Sequence, residues 1–307
     1  MKNEHQSLRP VSQQFGNRIL RPIRARNDWP RQAELSLPVK RIAVLDCETT
    51  GLDVECDRII EICVAIVLVD PSGQVVCIQS IGTGLEDPGN PLSQEIAELT
   101  GLTDNDLAGQ WIERKRLAEF IGYCEGAIAF NAGFDRPFIE KLLPELAPLP
   151  WGCAMKDVPW RRLGFEPGPQ NYLLTQASRY NPAAHRAQND VLALVELLAH
   201  SCRDGETIIS NVLSAMNAPA YRFEASTAAY GYRHELKRQG YRWAPEKSHE
   251  LWHKAVKPAD FRSEYRWYKQ TIGKRPVIVL VPATERYRAI GTWLPKRAKV
   301  EMPAWRR

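Results

Sequence analysis

The chain has 307 residues, 44% hydrophobic and 25% charged, which is typical of a globular protein with one large or two ordinary domains. No apolar run approaches a membrane span in length, and the polar first residues lack the apolar core of a signal peptide, so we expect no membrane association. The seven cysteines are scattered, odd in number and without a CxxC pair, which predicts reduced thiols in a cytoplasmic protein.

The charge is unevenly distributed along the chain. Acids outnumber bases by 25 to 13 in residues 41–220, whereas bases outnumber acids by 20 to 8 in residues 221–307, and the first 40 residues are also basic. An acidic middle between basic ends suits a metal-dependent site to which its neighbours present a polyanion. The alternative is a solvated surface that is merely uneven in charge.

The order of apolar patterns predicts four parts: a mobile basic arm at 1–38, an α/β domain at 39–205, a helical linker at 206–220 and a basic, Trp-rich accessory module at 221–307. Three consecutive strands, KRIAVLD, RIIEICVAIVLVD and QVVCIQSIG, are expected to pair antiparallel. Two helices (SQEIAELTGLTDNDL and WIERKRLAEFIGYC), the strand AIAF, the helix FDRPFIEKLL, a Pro-rich loop through WGCAM and further helices follow. This order predicts a mixed sheet flanked by helices, with a small α+β module behind it.

Two carboxylates stand at the end of the first strand, in IAVLDCETTGLD. Residues i and i+2 of a strand share one face, so Asp46 and Glu48 point the same way while Cys47 points to the other side. Like charges at that distance repel unless a cation lies between them. Mg²⁺ and Mn²⁺ prefer such oxygen ligands. A strand that ends in a solvated acidic turn is the alternative.

Two further segments bring acids to strand and helix ends. In AIAFNAGFDRPF, Asp135 opens the helix after a buried strand, where ligands of open α/β sheets bind, although an Asp in a first turn also favours the helix dipole. In HRAQND, His185 precedes Asp190 by five residues, so the two would diverge on a continuous helix. They converge only if His185 lies in the loop or first turn before that helix.

In their order along the chain, DCETTG, NAGFD and HRAQND resemble the DnaQ-like 3′–5′ exonucleases of the DEDDh branch, and ELTGLTD matches a further segment of that family. The resemblance covers about residues 40–203. It implies a ribonuclease H-like fold and a 3′–5′ exonuclease related to the polymerase III epsilon type. Arg186 stands where the sister branch has Tyr, which places the chain with the histidine branch. The implied metal ligands are Asp46, Glu48, Asp135 and Asp190, and the implied general base is His185.

The resemblance also implies a chemistry. Two divalent ions about 4 Å apart activate the attacking water and neutralise the phosphate during phosphodiester hydrolysis, releasing 5′-mononucleotides. The implied partner is a nucleic acid with a free 3′ end, with DNA favoured over RNA and a role in DNA repair or replication. RNA processing by the same chemistry is the alternative. Residues expected to approach the terminal nucleotide are Thr49, Thr50, Gly51, Leu52, Asn131 and Phe134.

Two patterns outside the α/β domain carry their own hypotheses. HELWH at 249–253 matches the zinc-peptidase helix motif HExxH, although Pro245 and Pro258 confine that helix and the remaining chain is short for such a domain. QAELSL at 32–37 resembles short peptides that dock on bacterial sliding clamps, which would give a clamp or polymerase contact. A chance match is the alternative there.

The accessory module holds five of the nine tryptophans beside its basic charge. A helix at ELKRQ, a strand at GYRW, helices at ELWHKAV and EYRWYKQ, and strands at PVIVLVP and YRAIGTW are predicted. Basic residues interleaved with aromatics are typical of a nucleic-acid platform, and the candidate contacts are Arg242, Trp243 and Trp252. The tryptophans could equally form a small core, and the two interpretations are compatible.

Overall fold

A five-stranded mixed sheet forms the centre of the α/β domain. The computed structural model describes residues 19–30, 38–218, 220–225, 231–245 and 250–288. The strands are β1 Lys40–Thr49, β2 Ile59–Val69, β3 Val75–Leu85, β4 Gly126–Ala129 and β5 Trp151–Cys153. The first three pair antiparallel and the last two join in parallel, which gives the order β3-β2-β1-β4-β5.

Helices cover both faces of this sheet. They are α1 Gln94–Thr100, α2 Asp104–Leu107, α3 Arg114–Gly122, α4 Ala132–Leu142, α5 Ala154–Asp157, α6 Gln170–Gln176, α7 Ala187–Leu198 and α8 Ile208–Asn217. Because neighbouring residues of a strand point to opposite faces, Val44 joins one core with α7 and α8, and Leu45 joins the other with α3 and α4. The predicted α/β class with a mixed, helix-flanked sheet is confirmed.

Two segments of this domain differ from the sequence expectation. The predicted loop through WGCAM contains β5, whose three buried residues pair with β4 but are too few to show strand alternation. The segment 206–220, predicted as a helical linker, contains a helix at Ile208–Asn217 but is not a free connection, and Ala220 already belongs to the first strand of the module. Its helix α8 buries Ile208, Ile209 and Val212 in the core that it shares with α7.

Residues 19–30 lie against the α/β domain, so the predicted mobile arm at 1–38 is wrong for this stretch. Trp29 is 4% exposed and belongs to the α7 core. The guanidinium of Arg24 lies 3.6 Å from the centre of the Trp29 ring and donates a 2.8 Å hydrogen bond to Glu196. Isolated apolar residues without periodicity gave no sequence signal for this packing. Two short strands also pair in parallel here, Arg21–Pro22 and Arg179–Tyr180.

The C-terminal module is an α+β unit, as predicted. Its four antiparallel strands have the order β9-β6-β8-β7, with β6 Ala220–Ala225, β7 Arg242–Pro245, β8 Glu250–Val256 and β9 Val277–Val281. Helices α9 and α10 pack on one face of the sheet; they comprise Arg233–Arg238 and Phe261–Ile272. The predicted helix at ELWHKAV is wrong, because this segment is the central strand β8.

After β9 the chain returns to the α/β domain through residues 283–288, the return segment. Arg136 of α4 is fully buried and donates hydrogen bonds of 2.6 and 2.5 Å to the carbonyl oxygens of Thr284 and Arg286. Arg286 forms an ion pair with the buried carboxylate of Asp157. The two parts of the molecule are therefore joined by buried charges as well as by the chain.

Two predicted features lie outside the described residues. They are the clamp-like segment QAELSL at 32–37 and most of the late strand at YRAIGTW. Among the described helices, none combines the length and the apolar character that crossing a bilayer requires.

Candidate active site

Three carboxylates converge at the C-terminal end of β1. Asp46 and Glu48 point to the α7 face of the sheet, and Asp190 stands in the first turn of α7, which packs on that face. One carboxylate oxygen of each lies within 4.8 Å of the other two. All three are partly buried. The structure thus brings together residues that are separated by more than 140 positions in the sequence.

Asp135 approaches the cluster from the opposite face of the sheet. It lies in α4, is 2% exposed, and accepts a 3.2 Å hydrogen bond from the backbone N–H of Cys47. This N–H is available because β4 pairs with β1 only as far as Val44. The carboxylate of Asp135 therefore takes the hydrogen-bonding position on β1 that lies just beyond the end of β4, at Cys47, the residue after Asp46.

The loop before α7 holds Asp190. The backbone N–H of His185 donates a 2.7 Å hydrogen bond to one carboxylate oxygen, and the side-chain amide of Asn181 donates a 3.0 Å bond to the other. His185 is exposed, precedes the helix and has a left-handed φ of +65°. Histidine tolerates this conformation better than bulky or branched residues do. The imidazole therefore projects from the loop rather than from the helix.

Burial and mutual repulsion raise the pKa values of the carboxyl groups in the site. Burial, followed by the neighbouring carboxylates Asp135, Asp190 and Glu48, raises the pKa of Asp46 well above its ordinary range. Burial, then the charges of Asp190 and Glu61, raises the pKa of Glu48 to about 7. Burial likewise raises the pKa of Asp135 to about 7, although the hydrogen bonds from Cys47 oppose the effect. Such a cluster of carboxylates favours a bound cation.

Glu61 is a site residue that the sequence analysis missed. It lies opposite Glu48 in the β1–β2 ladder, where two like charges on one face destabilise a sheet. Arg186 neutralises it through hydrogen bonds of 2.9 to 3.3 Å, and the N–H of Ala187 donates a further bond. The sequence feature that could have identified Glu61 is its position as a single charge inside the apolar run RIIEICVAIVLVD. Glu61 thus fastens the start of α7 to the central sheet.

The segment after Glu48 shapes the rim of the site. The hydroxyl of Thr49 donates to the carbonyl of Gly51, and the hydroxyl of Thr50 donates to Asp57. A Cβ on Gly51 would lie 2.5 Å from an Asp57 oxygen, so only glycine fits there without rearrangement. Leu52 is 86% exposed at the tip of this turn, free to meet a ligand.

Asn131 and Phe134 stand at the start of α4. Asn131 is the N-cap residue of α4, and the carbonyl oxygen of Asn131 accepts a 2.7 Å hydrogen bond from the N–H of Phe134. The Phe134 ring packs 5.2 Å from that of Phe138, partly buried against the α4 core. Both therefore border the helix turn that carries Asp135.

The three accessory residues of the module lie on different sides of its sheet. Trp243 and Trp252 are cross-strand neighbours with ring centres 5.5 Å apart, and Trp252 packs against the helix-covered core. Arg242 precedes Trp243 and pairs with His253, so its side chain points to the opposite face. A zinc-peptidase site in HELWH is contradicted, because residues 250–253 form a strand rather than the helix that the motif requires.

Solved structures with a similar chain trace include two exonucleases with DNA. Exonuclease X in complex with 5′ overhanging duplex DNA is 24% identical, with a TM-score of 0.39 over 56% of this chain and 99% of that one. E. coli exonuclease I in complex with a dA16 oligonucleotide is 15% identical, with a TM-score of 0.42 over 62% of this chain and 49% of that one.

Relatives by sequence are DNA polymerase III proteins of the PolC type. The Thermotoga petrophila protein is 38% identical over 110 residues, which are 35% of this chain and 8% of that protein. The Clostridium perfringens protein is 32% identical over 164 residues, which are 52% of this chain and 11% of that protein. The chain therefore spans only about a tenth of the length of these relatives.

The family model described as exonuclease matches residues 43–198, a range that contains the whole carboxylate cluster and His185. The chain belongs to this exonuclease family, and the DnaQ-like nuclease that the sequence predicted is confirmed. The family depends on divalent metal ions, and the cluster of Asp46, Glu48 and Asp190 supplies the oxygen ligands that such ions prefer.

Proposed function

We propose that the protein is a 3′–5′ exonuclease that removes 5′-mononucleotides from the 3′ end of DNA with two divalent metal ions. The observation that carries this proposal is the convergence of Asp46, Glu48 and Asp190 within 4.8 Å, with the buried Asp135 beside them. Two Mg²⁺ or Mn²⁺ ions held by these four residues would lower the pKa of water and neutralise the phosphate.

His185 is proposed as the general base. Its backbone N–H contacts Asp190 and its side chain is exposed, which supports a role in which the imidazole accepts a proton from the attacking water. Histidine changes charge near neutral pH, which suits proton transfer in both directions. The backbone bond to Asp190 fixes the loop, so the base and a metal ligand keep one geometry.

The rim residues are proposed to bind the terminal nucleotide. Thr49, Thr50 and Gly51 form a compact turn whose backbone a sugar or phosphate can approach closely, and the exposed Leu52 can press against a base. Asn131 and Phe134 border the opposite side of the site. DNA is favoured as substrate because the sequence relatives are DNA polymerases.

The test compares end-labelled single-stranded DNA, duplex DNA and RNA of one sequence, each with Mg²⁺, with Mn²⁺ or with excess EDTA. A 3′–5′ exonuclease shortens 5′-labelled strands in single steps and releases the label of 3′-labelled strands at once as a mononucleotide. Full activity in EDTA, or immediate release of a 5′ label, contradicts the proposal. Preferential degradation of RNA would show that RNA rather than DNA is the substrate, with the proposed reaction unchanged.

A further inference from the structure

A cavity of about 740 Å³ lies between the α/β domain and the module. Lys156 and Asp157 of α5 and the end of α8 form one wall, the module sheet forms the opposite wall, and the return segment closes a third side. Its volume falls in the range of roughly 300–1,000 Å³ in which proteins bind small-molecule groups. A group the size of one nucleotide fits such a space.

The wall contributed by the module is the face of its sheet that helices do not cover. Phe223 and Ala225 of β6 point into the module core beneath α9 and α10. Side chains alternate along a strand, so Arg222 points to the other face. There it is joined by Arg242 and His253, which are paired across β7 and β8. The uncovered face therefore presents Arg222 with its ion-pair partner Glu224, and beside them Arg242 and His253, toward the α/β domain.

The cavity carries an excess of positive charge. Seven lysines and arginines line it, against the carboxylates of Asp157 and Glu285. Four of the cations have carboxylate partners: Arg222, Lys254, Arg286 and Arg288. The other three, Lys156, Arg242 and Lys257, form no ion pair with any residue in the described ranges.

The positive charge of the cavity also acts on His253. Its Nε2 atom is buried and has no hydrogen-bond partner in the described part of the chain. Burial, then the charges of Arg222 and Arg242, lowers the pKa of His253 to about 4. The imidazole is therefore neutral at physiological pH and adds no charge to the cavity lining, whose excess positive charge comes from its lysines and arginines. A ligand that carries negative charge would compensate that excess.

Lys156 connects this cavity with the active site. Its Nζ atom is 2.9 Å from where a Cβ on Gly133 would lie, in the first turn of α4, two residues before Asp135. The neighbouring Met155 donates a 2.9 Å backbone hydrogen bond to Phe130, at the end of β4. A chain of phosphates that leaves the carboxylate cluster past α4 would therefore meet Lys156 first and the module cations next.

We propose that this cavity is a second nucleic-acid site, which holds an internal nucleotide of the strand whose 3′ end lies at the carboxylates. The phosphates would contact Lys156, Arg242 and Lys257, and the apolar walls at Ala218, Ala255 and Pro258 would receive sugar or base. This inference rests on the proposed exonuclease function and adds the path of the strand to it. It assigns the recognition of nucleic acid to the uncovered sheet face rather than to Trp243 and Trp252.

The test reverses charge inside and outside the cavity. Arg242→Glu with Lys257→Glu changes two lining cations, and Lys237→Glu with Arg266→Glu changes two exposed cations of the same module that do not line it. Binding of a labelled single strand is measured by fluorescence anisotropy in EDTA over a series of salt concentrations. We expect the cavity variant to bind at least about tenfold more weakly. The slope of log affinity against log salt should fall by about 1.4 for two lost phosphate contacts, and the control should keep both values.

Three outcomes overturn the inference: an unchanged affinity in the cavity variant, an equal loss in both variants, or binding of thymidine 5′-monophosphate as tight as that of the strand. The last would identify a free nucleotide as the ligand. Lys257→Ala alone, in the loop after β8, should give a smaller loss of the same sign, so the inference stays testable if the double variant fails to fold. Because binding is measured without metal, failure here is distinct from failure of hydrolysis by the unaltered protein.

Discussion

At the scale of single residues, Asp190 joins the parts of the site. It faces Asp46 and Glu48 across the sheet end, and it accepts hydrogen bonds from His185 and Asn181 in the preceding loop. An amide in its place would keep the shape and remove the charge. The consequences of that change separate a metal ligand from a structural acid.

We expect Asp190→Asn and Asp46→Asn each to reduce hydrolysis below detection, because each removes one of the carboxylates that we propose as metal ligands. In EDTA, Asp46→Asn should also unfold at a higher temperature than the unaltered protein, because a repelling buried carboxylate is gone. Asp204→Asn, at an exposed position, serves as the control for both measurements. A variant that keeps activity excludes that residue as a ligand.

A substitution that tests His185 must tolerate the left-handed backbone conformation of this residue. His185→Asn should slow turnover by roughly 10²–10⁴-fold, the usual contribution of a general base, while strand binding and metal affinity are kept. Asparagine tolerates the left-handed φ of +65° and retains the N–H that holds Asp190. Single-turnover rates at rising pH should recover in part as hydroxide replaces the base. Loss of binding at unchanged turnover would make His185 a substrate-gripping residue.

At the scale of elements, the tie between β2 and α7 fixes the geometry of the cluster. Glu61 is buried in β2 and binds both the side chain of Arg186 and the N–H of Ala187 at the helix start. Because Asp190 lies one turn further along α7, its distance from Glu48 depends on this contact. The ion pair therefore contributes to positioning as well as to stability.

A double-mutant cycle measures that tie. Arg186→Ala leaves the buried carboxylate of Glu61 with one hydrogen bond and should cost roughly 1–3 kcal/mol. Adding Glu61→Gln should recover much of this loss, because the unpaired charge is removed. Urea unfolding in EDTA gives the values, and Arg161→Ala, which breaks an exposed pair, should cost at most about 1 kcal/mol. Additive effects in the cycle would refute the coupling.

The sequence predicted those elements whose apolar residues form long or clearly periodic runs. The strands β1, β2 and β3 and the helix α7 belong to this group. β5 has only three residues and β8 carries a mixture of charged and aromatic side chains, so local patterns did not identify either strand. In the site, the motifs predicted the four acids and the histidine. The contacts of Glu61 could not be predicted, because they depend on the register of β1 and β2, which no motif encodes.

At the scale of the whole molecule, the return segment makes the α/β domain dependent on the module. The sequence suggests that deleting residues 221–307 leaves the chemistry intact, since the four acids and His185 lie between 46 and 190. In the structure, however, the buried Arg136 and Asp157 would lose partners contributed by residues 284–287. Arg136 would keep its ion pair with Glu140, whereas the carboxylate of Asp157 would keep only the backbone N–H of Cys153. A buried charge that loses its charged partner is strongly destabilising.

We expect a chain truncated after residue 218 to unfold at a lower temperature than the full chain and to lose activity on mild heating. The same truncation with Asp157→Asn should recover part of the lost stability, because the replacement is not charged and its oxygen can still accept the N–H of Cys153. Thermal unfolding followed by circular dichroism makes the comparison. A truncated chain as stable as the full one would show that the return segment is not needed by the α/β domain.

The stability of the metal-free protein should depend on pH in an unusual direction. Carboxyl groups whose pKa rises to about 7 on folding, as for Glu48 and Asp135, bind protons in the folded state that the unfolded chain has already released. Stability should therefore fall as pH rises from roughly 4 toward 7. Unfolding temperatures in EDTA across this window test the sign, with Asp46→Asn expected to flatten the curve. Mg²⁺ should restore stability at higher pH by compensating the charges.

The return segment also sets an order of events during synthesis. The ribosome makes the four acids of the site first, and the residues of the return segment that contact Arg136 and Asp157 follow about a hundred positions after Asp190. At roughly 5–20 residues per second this interval lasts some 5–20 seconds. Throughout it, a chain that already holds every acid of the cluster leaves the helix bearing Asp135 without its final support. The helix that carries Asp135 therefore gains its last buried hydrogen bonds only after the whole carboxylate cluster and the module sheet have been synthesised.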